Sequence, residues 1–196
     1  MKYNTIVIDP AWDITLGGIP TKRRENRAIK LPYKVMSLEE IKNFPIKDFA
    51  NDGCHVYCWT TNKMIWSIPE VFKAWNVRAF LIMPLVKPSG IIPSIYGYVF
   101  ASEFCVLGFY NPPMQKFIGT GKLNWFKSFN KAGQHSRKPD EFYNVVKKMS
   151  PAPRIDIFSR RVIAGFDAWG DEAPKEKQLE LTHSPISNGG LGEIGC

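Results

Sequence analysis

The chain has 196 residues, 44% of them hydrophobic and 22% charged, with Lys+Arg 26 against Asp+Glu 18 for a formal net charge of +8. That length and balance suit one domain with a substantial core and exclude a fibrous or disordered chain. No apolar run approaches the about 18 residues of a membrane span and no signal-peptide pattern opens the chain, so a cytoplasmic location is expected; the cationic excess points to a polyanionic partner.

The first predicted strand, residues 5–8, is an apolar β-branched run that stops at Asp9-Pro10-Ala11-Trp12. Residues 13–32 form a long polar connection carrying Lys22, Arg23, Arg24, Arg27 and Lys30. Ser37-Leu38-Glu39-Glu40 reads as a capping box that opens a short helix. Residues 55–59 form a strand, and Asn62 is predicted to cap a helix over 63–75 that Pro69 interrupts. Strands are predicted over 79–83 and 103–109.

Residues 111–134 show little periodicity and interleave Lys116, Lys122, Lys127 and Lys131 with Trp125, Phe126 and Phe129. Pro139 takes a first helical position, with Asp140 and Glu141 in the first turn of a helix that runs to Met149. A strand over 154–158 follows, and Trp169-Gly170-Asp171-Glu172 ends the ordered pattern. The alternation of strands and helices predicts an α/β domain over 1–172 with a mainly parallel sheet, followed by a flexible tail over 173–196.

Cys54, Cys58 and Cys105 lie in apolar strand-like stretches and read as buried thiols of a reducing compartment. Cys54-His55-x-x-Cys58 does not read as a metal site, because period-two geometry puts His55 on the opposite sheet face from both cysteines; no metal is expected.

Ligands of open α/β sheets gather at the carboxyl ends of the strands. There the tetrad presents an acid, a fixed carbonyl and an aromatic, which suits methylation of an exocyclic amine on a nucleic-acid base. The amino group of adenine is a poor nucleophile, since its lone pair is delocalised into the ring. Two acceptors aimed at its N–H bonds would localise that pair and stabilise the charge that builds on nitrogen. The Asp9 carboxylate supplies one acceptor, charge-assisted. The Pro10 carbonyl supplies the other, with Pro10 fixing its own φ and biasing Asp9 toward extended backbone. Preorganised dipoles of this kind are often the largest catalytic term. Trp12 offers a face on which a base would stack. Taken alone, the tetrad fits an ordinary strand-end turn equally well.

Lys138, just before a helix start, sets a cation beside free backbone N–H groups, which favours an anion; a surface lysine beside a capped helix is the plainer alternative. The two basic segments would track phosphates while their aromatics stack unpaired bases, or they are two solvated loops.

In combination the segments become specific. Asp9–Trp12, Leu31-Pro32-Tyr33-x-x-Met36-Ser37-x-x-Glu40, Val56-Tyr57-Cys58-Trp59-Thr60-Thr61, Glu103-Phe104-Cys105-Val106-Leu107-Gly108, His135–Tyr143, Arg154–Arg160 and Trp169–Glu172 occur in that order. The series resembles the mRNA-adenosine methyltransferase (MT-A seventy-like) family, which includes bacterial and phage DNA adenine methyltransferases, over residues 4–172. The resemblance implies a Rossmann-like methyltransferase fold with the permuted, beta-class motif order. It implies S-adenosylmethionine as methyl donor and transfer to N6 of adenine, in DNA more than in RNA.

By that resemblance Asp9, Pro10 and Trp12 form the catalytic motif. Tyr33 and Glu103 match positions near the acceptor base; Arg137 is a further substrate-binding candidate, and the charge of Lys22, Arg23, Arg24 and Arg27, close in sequence to that pocket, suits them to the nucleic acid. Lys138 lies near the donor methionine and the acceptor. Arg160, Asp171 and Glu172 match positions around the donor ribose, Gly170 beside them is a further cofactor-binding candidate, and Asp156 and Glu172 are suitable hydroxyl acceptors in their own right. Residues 111–134 fall where beta-class enzymes place target recognition.

The chain departs from the family pattern in having Pro10-Ala11 for the usual Pro-Pro, which removes stiffness from the Pro10 ψ angle. It also has Asp171 for a frequent asparagine, and only eight residues before the tetrad. The alternative is a non-catalytic nucleic-acid-binding subunit with a methyltransferase fold, and a homo- or heterodimer partner is open to either reading.

Overall fold

A computed structural model describes residues 1–13, 35–87, 92–93, 99–127, 137–170 and 173. Strand β1 (Tyr3–Ile8) is buried on both faces, which is why it reads as an unbroken apolar run. It lies between β2 (Ala50–Thr61) and β8 (Arg154–Ile157), parallel to both, and β9 (Asp167–Trp169) continues the parallel arrangement beyond β8. On the other side, β6 (Ser102–Tyr110) runs antiparallel to β2 and to β3 (Val77–Val86), and the short β7 (Phe126–Lys127) is parallel to β3. The result is a seven-stranded, mostly parallel sheet in the order β7-β3-β6-β2-β1-β8-β9. Ile92–Pro93 (β4) and Val99–Phe100 (β5) form a separate two-stranded ribbon.

Helices cover both faces. On one, α1 (Leu38–Lys42), α2 (Ile46–Phe49) and α3 (Ile68–Ala74) bring Ile41, Phe49 and Phe72 against Ile6, Ile8, Val56 and Cys58. On the other, α4 (Asp140–Met149) packs Phe142, Tyr143 and Val146 against Val7, Tyr57, Trp59 and Leu107. The Phe142 ring sits 4.8 Å from Trp59 and 5.6 Å from Phe126. Gly108 lets α3 approach β6, since a Cβ there would lie 2.8 Å from the Phe72 ring carbon Cε2 of that helix, and also 2.5 Å from Val77 Cγ1 of β3. Among the described residues no helix is long and apolar enough to cross a membrane, and no cluster could hold a metal.

The α1 capping box forms as expected, with the Ser37 hydroxyl accepting from the Glu40 N–H and the Glu40 carboxylate accepting from the Ser37 N–H. The reading of 63–75 needs correction. Asn62 caps nothing; its amide donates to the Ser102 carbonyl at 2.6 Å, and a 3₁₀ turn (Ile65–Ser67) precedes α3. Pro69 lies in the first turn of α3, where its missing N–H costs no bond, so it opens the helix and does not interrupt it. Phe126 also leaves the set of base-stacking aromatics, because it joins the sheet as β7 and is 2% exposed. Trp125 remains exposed, and Phe129 and Lys131 lie outside the described residues.

His55 faces α4, away from Cys54 and Cys58, as period two requires. Its Nε2 donates to the Gln115 carbonyl, and the Ser150 hydroxyl, itself hydrogen-bonded to Tyr57, bonds Nδ1. Burial lowers the His55 pKa from 6.5, with the Gln115 bond opposing. The fold therefore holds His55 neutral: its contribution is complete above about pH 6.5 and is lost as pH falls from there through the depressed folded value. His55→Gln should flatten the acid-side fall in stability, measured by urea unfolding at about pH 7.5 and about pH 5; a fall as steep as in the parent chain would remove His55 from the account.

Candidate active site

The strand order explains why residues far apart in sequence meet. Registers pair Val7 with Tyr57 and Asp156, Trp59 with Cys105, and Thr61 with Glu103. Cross-strand partners share a face, and so do alternate residues along one strand. Asp9, Trp59, Glu103 and Asp156 therefore all project on the side covered by α4. Asp9 and Glu103, 94 positions apart, flank β2 on either side at its carboxyl end.

Lys138 closes the gap between them. Its Nζ lies 3.1 Å from Asp9 Oδ2 and 3.0 Å from Glu103 Oε2, 4.9 Å above the centroid of the Trp59 ring. The side chain is 9% exposed, so this lysine turns inward from the start of α4 and does not stand on the surface there. Lys87, at the end of β3, forms an ion pair with the other Glu103 oxygen, Oε1. The four charges alternate and sum to zero. Burial opposes the charge on Lys138, but Asp9 and Glu103 outweigh it, and the pKa rises. Burial likewise pushes Glu103 upward, but Lys138 and Lys87 carry it below its ordinary value. Asp9 is raised, because burial and the neighbouring Glu103 exceed the pull of Lys138.

The tetrad turns tightly. The Trp12 N–H donates to the Pro10 carbonyl at 2.8 Å, and the Ala11 carbonyl accepts from the Met36 N–H at 2.8 Å. Among the described residues the Pro10 carbonyl thus has one lone pair engaged and one remaining. The expectation that Trp12 presents an open stacking face is corrected by the structure. Trp12 is 5% exposed in the core, and its indole N–H donates to the Trp59 carbonyl at 2.8 Å. It anchors the loop to β2.

Asp156 is also turned inward: the Tyr143 hydroxyl donates to its Oδ2 at 3.0 Å, and burial pushes its pKa up to about 7 with that bond opposing. It therefore braces β8 against α4, in place of the expected open hydroxyl acceptor. Gly170 follows β9 with φ 133°, in a turn where a Cβ would meet Phe158 Cα at 3.0 Å. Arg137 is half exposed and pairs with Asp140 at 3.1 Å, while Arg160 is exposed in the loop after β8. Tyr33, Lys22, Arg23, Arg24, Arg27, Asp171 and Glu172 lie outside the described residues.

Sequence reasoning missed Lys87, Trp59 and Arg161. A lysine ending an apolar strand was the available signal for the first; the other two emerge only from contacts. Trp59 Nε1 and Thr60 Oγ1, near the carboxyl end of β2, are buried without a hydrogen-bond partner among the described residues. The two point to opposite faces of β2, Trp59 toward α4 and Thr60 away from it. Buried polar groups are normally paired, so the Trp59 N–H, on the face of Asp9 and Lys138, suits an acceptor on a ligand, such as the carboxylate, ribose or purine of S-adenosylmethionine.

A mostly parallel sheet flanked by helices, with an acid–proline turn after an interior parallel strand, is a Rossmann-like methyltransferase fold. Residues 3–172 match the MT-A70 family model, and the chain belongs to the MT-A70 family. The type II methyltransferase M.MunI of Mycoplasma sp is 26% identical over 195 residues, which cover 90% of this chain and 80% of M.MunI. The mouse N(6)-adenine-specific methyltransferase METTL4 is 24% identical over 91% of this chain and 39% of its own length. The human N(6)-adenosine-methyltransferase catalytic subunit METTL3 is 23% identical over 81% of this chain and 26% of its own length. The chain therefore spans most of M.MunI but well under half of the two longer relatives.

Removing the Lys138 charge would leave two carboxylates facing each other under α4. Lys138→Met should lower unfolding free energy by about 3 kcal/mol, the lower end of the range for breaking a buried pair, since Asp9 and Glu103 keep some contact with water. Urea unfolding of the variant and parent chain measures this, and a loss within experimental error would mean that the ammonium is not needed to hold the carboxylates.

Proposed function

We propose that this chain is an S-adenosylmethionine-dependent methyltransferase that acts on N6 of adenine in nucleic acid, with DNA as its substrate class. The observation that carries the proposal is the Asp9 carboxylate at the carboxyl end of β1, whose Oδ2 is held by Lys138, so that Oδ1 is the oxygen that would accept from an amine. Family membership supports the reaction class, since MT-A70 methyltransferases generally use this donor. The relative matched over four-fifths of its length is a type II methyltransferase, a class that modifies DNA, and this favours DNA over RNA.

When bound, S-adenosylmethionine supplies an electrophilic methyl group on a sulfonium sulfur. The chain's own residues do the rest. Asp9 Oδ1 and the remaining lone pair of Pro10 accept from the two N–H bonds of the adenine amine, drawing its lone pair out of the ring. Lys138 fixes Asp9 in orientation; with its pKa raised it stays charged and does not act as a base. The amine nitrogen gains a methyl carbon and sheds one proton. Asp9, whose pKa is raised, is placed to receive it and pass it to water. Trp59 Nε1, Arg160 and the turn at Gly170 would hold the donor, together with Asp171 and Glu172. The cations at Lys22, Arg23, Arg24 and Arg27, with Arg137, would track the phosphates, and Tyr33 would contact the base. An adenine within a duplex would have to be flipped out of its stack to reach Asp9.

Transfer of labelled methyl from S-adenosylmethionine to single- and double-stranded adenine-containing DNA and RNA tests the reaction. The parent chain should label DNA at N6. Asp9→Ala should lower the single-turnover rate by about 10²-fold or more and Asp9→Asn nearly as much, with donor affinity in calorimetry little changed. Activity of Asp9→Ala within about threefold of the parent would remove Asp9 from the chemistry.

A further inference from the structure

Arg161 belongs to none of the expected site residues, yet it makes three contacts at the entry to α4. One guanidinium nitrogen, Nη2, donates to the Lys138 carbonyl at 3.0 Å, and Nη1 pairs with the Asp140 carboxylate. The guanidinium also lies over the Tyr143 ring, 5.3 Å from its centroid. The backbone beneath it is fixed. Phe158 turns the chain out of β8 with φ 62°, its N–H donating to the Trp169 carbonyl at 2.7 Å. The Ser159 hydroxyl then donates to the Arg161 carbonyl at 2.7 Å.

What Arg161 holds lacks the usual anchor. A helix entry is normally fixed by a capping side chain, but the N-cap of α4 is Pro139, which makes no side-chain cap bond. Asp140, in the first turn, is spent on Arg161 and Arg137. The main chain of Lys138 is therefore tied to the sheet through Arg161. The lysine stem has four methylenes and would otherwise be free to carry its ammonium elsewhere.

We infer that Arg161 is a positioning residue: it clamps the Lys138 main chain so that the ammonium is held between Asp9 and Glu103. The kinetic consequence rests on the proposed methyltransferase reading, whereas the clamp itself does not. Misplacement of an oriented group by about 1 Å is enough to cost on the order of 10²-fold in rate.

The test compares Arg161→Gln and Arg161→Lys with the parent full-length chain by two readouts. The first needs no substrate: acetylation by an amine-reactive ester, followed for each lysine by mass spectrometry. Lys138 should be protected in the parent and should react about tenfold faster or more in Arg161→Gln, with an intermediate rate in Arg161→Lys, while circular dichroism and the exposed lysines stay unchanged. The second is the pH dependence of kcat. Loss of the cation beside Asp9 should move the acid limb upward and lower kcat, with KM for S-adenosylmethionine unchanged and partial rescue by lysine. A lower melting temperature with unchanged Lys138 protection and an unmoved acid limb would overturn the inference and make Arg161 a purely structural residue. If Arg161→Gln fails to fold, the same readouts on Arg161→Lys decide. A parent chain that methylates no nucleic acid would overturn the proposed function and leave acetylation to decide the clamp.

Discussion

A buried ammonium between two carboxylates is the constraint on which the site depends. An isolated lysine charge under α4 would cost several kcal/mol of desolvation, and an isolated pair of carboxylates would repel. Together, with Lys87 completing the row, they satisfy one another in a dry setting where each attraction is stronger than in water. The arrangement is cooperative, since each member is tolerable only because the others are present. It fixes the direction of the Asp9 carboxylate to a degree that a solvated aspartate at a strand end would not have.

The sheet makes this row possible. β1 is an interior strand parallel to both of its neighbours, so its carboxyl end opens beside those of β2 and β8. The antiparallel β6 starts where β2 ends, which sets Glu103 at the level of Thr61 and one strand away from Trp59. Had β6 run parallel, its first residues would lie at the far edge of the sheet. α4 then lays Phe142 and Tyr143 over the same face, and its entry delivers Lys138 from above. Trp12 and Asp156 brace the rim, one tied to the Trp59 carbonyl and the other to Tyr143.

A division of charge follows. The row at the strand ends is neutral overall and largely excluded from water, so its charges can orient an acceptor without drawing phosphate into the pocket. The chain as a whole carries +8, so its cationic excess lies outside this row. Under the proposed function, long-range attraction of a polyanion and short-range handling of an amine would fall to different residues, and ionic strength should act on the first far more than on the second.

Local physics was legible in the sequence. The Ser37–Glu40 capping box, the apolar run of β1, the amphipathic α4 and the opposition of His55 to its neighbouring cysteines all depend on residues a few positions apart. The tetrad at the end of β1 was legible for the same reason, as an acid and a proline following a β-branched run. Short elements were not: α2, β7 and β9 have too few residues to display a period, and Phe126 looked like a loop aromatic until its strand paired with β3. Asn62 and Pro69 were misplaced because the partner of Asn62, Ser102, is 40 residues away. The electrostatics of the site were least visible of all. Lys138 read as a cation at a helix entry, Trp12 as an open ring and Asp156 as an open acceptor, since each side chain's direction depends on partners that chain order does not disclose. Sequence by itself determined the family, the order of the central elements and the acid that begins the site, because those are written in local pattern and motif order. Only the tertiary structure decided that Lys138 lies between Asp9 and Glu103 with Arg161 behind it, because that depends on which strands are neighbours and which faces they share.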